Sequence, residues 1–114
     1  MSERVVVLLL EDIQNSIESI LGYTKNFTFE MYCDDQKTRH AVERNFEIIG
    51  EAVSRVSNTF KESNLNIEWR VLKDFRNFII HEYFGINQQI VWDTIQLRLP
   101  KLLEDITQLI NNLD

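Results

Sequence analysis

One cysteine, one proline and three glycines in 114 residues are few, and each scarcity removes a class of protein. The lone thiol, Cys33, cannot close an intrachain disulfide, so nothing points to an oxidising compartment and a cytoplasmic location is the default expectation. So few turn-forming residues argue against a β architecture and favour long helices joined by short connections. The apolar run Val5–Leu10 is too short to cross a bilayer and lacks a signal-peptide pattern, so no membrane partner is expected. Cys33 has no His or Cys at metal-ligand spacing, and the adjacent Asp34 and Asp35 are more simply read as helix caps, so no metal is expected.

What is present suffices for one domain spanning residues 1–114, with apolar side chains at 44% of the sequence. The net charge of −6 speaks against a nucleic-acid partner until its distribution is considered. Between Lys37 and Arg76 eight basic residues face six acids, a local +2 that leaves −8 on the rest of the chain. A weakly basic middle inside an acidic shell can guide a polyanion to one cleft.

Helical periodicity runs throughout, with nothing that alternates like a strand. From about Glu3 to Tyr23, Leu9, Leu10, Ile13, Ile17, Ile20 and Leu21 recur at intervals of 3 and 4, one stripe of a helix. Thr28 can cap a short turn over Glu30–Cys33. A long helix is expected from about Asp35 to Phe60, containing Gly50, whose simplest explanation is a close helix crossing. A polar connection follows, with Asn66 as the expected cap of a helix carrying Trp69, Leu72, Phe75 and Phe78. Gly85 offers its C-terminal stop, Asn87 the next N-cap with Ile86 and Val91 as a hydrophobic staple, and Pro100 should kink or split the last helix. The expected fold is all-α, an antiparallel up-and-down bundle of four to five helices.

The chemistry concentrates in Arg76-Asn77-Phe78-Ile79-Ile80-His81-Glu82-Tyr83. Asn77 and His81 are four apart and share a helix face, so the amide can orient the imidazole. Arg76 lies about 140° from His81 on an ideal helix, yet is long enough to reach the same cleft. His81 could act on RNA as general base or acid, and Arg76 could stabilise charge gathering on phosphorus. Attack by the neighbouring 2′-oxygen needs no metal and leaves a 2′,3′-cyclic phosphate. Such a step is best served by an acid and a base, and the motif holds one His; a two-fold dimer would supply the second, which predicts a homodimer. A plain structural role also fits, because Arg and His near a helix C-terminus are favoured by its dipole. Arg44, Asn45, Glu47 and Glu51 form a polar strip on the long helix that either pairs in solvent or lines the same cleft. His40 reads as a solvated surface residue.

The stretch Arg76 to Tyr83 resembles the Arg-x4-His-x-Tyr motif of HEPN-domain toxins. With KTRHAVERNFEIIGEAVSRV at 37–56 and WRVLKDFRNFIIHEYFGI at 69–86, the chain is similar to the HepT-like group, the domain of unknown function numbered 86, from Leu9 to Leu109. The resemblance implies a homodimeric helical bundle and the toxin of a toxin–antitoxin pair. Its activity would be a metal-independent endoribonuclease cutting in a cleft between protomers, with transfer RNA as the substrate class. Arg76 and His81 would be the catalytic pair, with Asn77 supporting. It also implies a minimal nucleotidyltransferase antitoxin that transfers AMP from ATP to Tyr83; the toxin itself needs no cofactor. An AMP group two residues from His81 would add charge and bulk that repel RNA phosphate. The alternative is a non-catalytic helical module that binds a nucleotidyltransferase, which the acidic net charge suits.

Overall fold

The computed structural model describes residues 2–80 and 85–113. Seven helices and no strand occur among them: α1 (Glu3–Tyr23), α2 (Phe29–Asp34), α3 (Gln36–Arg55), α4 (Asn58–Glu62), α5 (Trp69–Ile80), α6 (Gln88–Leu97) and α7 (Leu99–Asn112). The chain is the all-α bundle that the periodicity anticipates. The larger helix count arises where polar side chains or proline interrupt a continuous apolar stripe.

α1 buries Leu10, Ile13, Ile17 and Ile20, and the Ser2 hydroxyl accepts from the Val5 amide to cap its start. It ends where the buried Thr24 hydroxyl donates to the Ile20 carbonyl at 2.8 Å and Asn26 turns into the left-handed region at φ 65°. α3 is the central element, packed between α1 on one side and α5 on the other, while α7 closes over α1 and α6 joins α2 to α7. Phe46, Ile49 and Val53 of α3 meet the core stripe of α1, with Leu72 and Phe75 of α5 and Leu99, Leu102 and Ile106 of α7 completing it. Each such side chain contributes roughly 1.5–3 kcal/mol by leaving water.

Two expectations need correction. The helix expected to run to Phe60 ends at Arg55, because Val56 is extended at ψ 132° and the Ser57 hydroxyl accepts from the Phe60 amide to start α4. The side-chain cap overrides an apolar period that continues through Val56 and Phe60. Asn66 does not cap α5: the first turn closes from the Leu72 amide to the Glu68 carbonyl at 3.1 Å, leaving Asn66 outside the helix.

Elsewhere the local chemistry holds. Thr28, Asp35 and Asn87 cap α2, α3 and α6 through Met31, Thr38 and Ile90. Gly85 has φ 78°, where residues with a Cβ are disfavoured, and the helix stop expected of it falls on residues 81–84, outside those described. Pro100 splits the last helical stretch into α6 and α7, sitting in the first turn of α7 where its missing amide donor costs nothing. No helix among the described residues is long and apolar enough to cross a membrane.

Candidate active site on α5

Arg76 and Asn77 lie exposed on the last described turns of α5, while Leu72 and Phe75 face the core at 0% and 2% exposure. The inward face sets where the outward residues stand. Phe75 meets Phe46 of α3 edge-on, with ring centroids 5.1 Å apart and planes at 79°. Beside that contact the two helices come close enough to exclude a side chain. A Cβ built on Gly50 would fall 2.5 Å from the Cβ of Arg76 and 3.4 Å from its Cα and amide nitrogen. The close crossing expected for Gly50 is therefore real, and its partner is the motif arginine. Arg76 projects from a backbone seated directly on α3, a rigid base of the sort that positioned chemistry requires.

The Asn77 amide donates to Asp74 Oδ1 at 3.4 Å, within its own helix. His81 and Tyr83 lie outside the described residues. The strip on α3 divides among several surroundings. Arg44 pairs with Glu47 at 3.4 Å in an exposed contact, and Asn45 turns back to donate to the Ala41 carbonyl at 2.8 Å. Glu51 lines a hollow of about 80 Å³ on the α1 side of α3, together with Leu9, Asp12, Ile48, Ala52 and Arg55. These four do not share one polar cluster. His40 is exposed, and Asp35 caps α3, its carboxyl held below the usual range by the Thr38 amide and then by the Thr38 hydroxyl. Among the described residues no group of three or more His, Cys, Asp or Glu is arranged to hold a metal ion.

Two polar groupings escaped the sequence. Tyr32 is wholly buried between α2, α3 and α6, its ring 5.5 Å from that of Trp92 and its hydroxyl without a hydrogen-bond partner among the described residues. Burial first, then the nearby Glu43 carboxylate, pushes its phenol above the ordinary range. Glu43 also accepts from the Gln88 amide at 3.3 Å, a contact spanning 45 positions that ties the start of α6 back to α3. On the other side of α5, the fold brings Lys61 of α4 toward Arg70 and Lys73. A single sequence offers no signal for either grouping, because both depend on which helices become neighbours.

The family model described as Ribonuclease HepT-like matches residues 13–109. The chain belongs to the HepT-like ribonuclease family. Among relatives in this family, a Thermococcus cleftensis protein named "Probable ribonuclease HepT" is 41% identical over 93 residues, covering 82% of this chain and 84% of that one. Two Methanocaldococcus jannaschii proteins are also similar. "Putative RNase MJ0127" is 32% identical over 100% of this chain and 94% of its own length, and "Putative RNase MJ1380" is 34% identical over 93% and 97%. No solved structure matches the chain.

Proposed function

We propose that this HepT-like chain is the toxin of a toxin–antitoxin pair, a metal-independent endoribonuclease acting as a homodimer with transfer RNA as its substrate class. The observation that carries the reading is the Arg-x4-His-x-Tyr motif in a chain of this family, with Arg76 exposed on a helix seated without clearance on Gly50. In the proposed reaction a 2′-oxygen attacks the adjacent phosphorus, giving up its proton to a base, and the 5′-oxygen leaves after taking a proton from an acid. The product is a 2′,3′-cyclic phosphate. His81 of each protomer serves as base or acid, and Arg76 neutralises the extra negative charge on phosphorus. Asn77 supports the site; Arg44, Asn45, Glu47 and Glu51 remain candidates for its wall only once a second protomer is added. The silencing partner is a minimal nucleotidyltransferase antitoxin. It joins the Tyr83 oxygen to the α-phosphorus of ATP, releasing pyrophosphate and the phenolic proton, and the attached AMP repels RNA.

The test is cleavage of total cellular RNA in excess chelator by the chain and by His81→Ala, after intact mass shows Tyr83 unmodified. The expected result is specific fragments ending in cyclic phosphate from the parent, with cleavage about 10²–10⁴-fold slower in the variant. A folded, unmodified parent that cuts nothing would overturn the reading. It would favour the rival that the net charge of −6 supports, a helical module that binds a nucleotidyltransferase.

A further inference from the structure

α4 and the outward face of α5 enclose an open groove of about 500 Å³, lined by Lys61, Trp69, Arg70, Lys73, Asp74 and Asn77. Its geometry is firm. The Trp69 indole nitrogen donates to the Asn64 carbonyl at 3.0 Å and its ring meets Phe60 at 6.2 Å, so α4 is held against the start of α5 and Lys61 is held across from Lys73. Arg70, Lys73 and Asn77 advance up one face of α5, covering about 10 Å along its axis at 1.5 Å per residue, with Arg76 about 4.5 Å beyond Lys73.

Three cations thus stand around one depression in a chain whose net charge is −6. Among the described residues no carboxylate lies within ion-pair distance of Lys61, Arg70 or Lys73, a state they share with most of the chain's cations, so what sets them apart is their convergence on one depression. The one acid in the groove, Asp74, accepts from the Asn77 amide. Lys61 feels the crowding: partial burial first, and then the charge of Lys73, lower its pKa from the ordinary lysine value. An anion between them would relieve that repulsion. Lysine ammoniums are point charges that suit phosphate without reading a base.

We propose that the groove bounded by Lys61, Arg70 and Lys73 seats a backbone phosphate of the RNA strand, gripping it outside the cut and leading it along α5 to Arg76. This inference rests on the ribonuclease reading for the identity of the polyanion. It makes the groove a sequence-indifferent grip whose lysines stand outside the motif and whose upper end meets it at Asn77.

The test measures binding of a fully 2′-O-methylated single-stranded RNA, which lacks the attacking hydroxyl, by fluorescence anisotropy across a salt series in chelator. Parent, Lys61→Gln/Lys73→Gln and the charge-matched Lys25→Gln/Lys101→Gln are compared, with circular dichroism to show that each is folded. The groove variant is expected to bind more weakly with several unrelated sequences. The slope of log affinity on log salt should fall by about 0.7, the value for one phosphate contact on a single strand. The control pair should keep the parent slope. A groove variant with the parent's affinity and slope overturns the inference, as does a parent that fails to bind the oligonucleotide; either result would turn the groove toward an acidic protein surface instead. Cleavage is assayed separately. A parent that binds through these lysines but never cuts leaves the groove standing and removes the nuclease, whereas one that cuts with an unchanged slope removes only the groove.

Discussion

The two sides of α3 are built on opposite principles. Toward α1 the helix leaves a hollow of about 80 Å³ beside Ala52, so the seam has slack that side chains can fill. Toward α5 it leaves none: at Gly50 even a methyl group would be driven into Arg76. The first seam is apolar adhesion with tolerance in it, while the second sets the height of a helix to within an atom's width. The candidate catalytic arginine stands on the side without slack. Precision at this site therefore comes from the absence of a side chain, and substitutions on the two sides of one helix should fail in different ways.

The largest effect is expected from removing the aromatic lock of the tight seam. Phe75→Ala deletes a ring at 2% exposure that meets Phe46, and should cost about 3–5 kcal/mol in chemical denaturation. A loss below about 1 kcal/mol would mean that the seam does not depend on this pair. Gly50→Ala comes next. At an open helical position the change should stabilise by about 1 kcal/mol through propensity. Here overpacking of about 1–3 kcal/mol opposes it. The expected result is no gain in thermal midpoint and a loss of RNA cleavage larger than any change in fold, since the strain falls on Arg76. A stabilised variant with full cleavage would break the comparison. The smallest effect belongs to the slack side: Ala52→Val should stay within about 1 kcal/mol of the parent, because the added methyls enter the hollow. If it cost as much as Gly50→Ala, the two seams would be alike after all.

Much of this architecture is legible in the order of residues. The bounds of α1 follow from its stripe, the caps of α2, α3 and α6 from single polar side chains, and the split at Pro100 from the proline ring. The end of α3 is hidden in the sequence because Val56 and Phe60 prolong its period while Ser57 restarts the chain. Asn66 is the residue type of a cap but stands two positions too early to serve as one. Gly50 could be recognised as a crossing point, but nothing in the order of residues names Arg76 as what it crosses. The same limit hides the basic groove, since Lys61 and Lys73 belong to different helices and share a depression only after α4 folds back. Motif chemistry is local and legible; the company a motif keeps is decided by packing.

The hydrogen bond from Gln14 to Thr107, 3.0 Å long and joining residues 93 positions apart, has a consequence for the order in which the molecule assembles and opens. Closing that long loop costs about 1 kcal/mol more chain entropy than closing the 26-residue loop between Gly50 and Arg76. The loop under the motif is thus the cheaper one to close, and α7 is expected to dock last and open first. Amides of α7 should exchange with solvent before those of α3, so thermal breathing would loosen the far side of the bundle while the platform of Arg76 stays assembled.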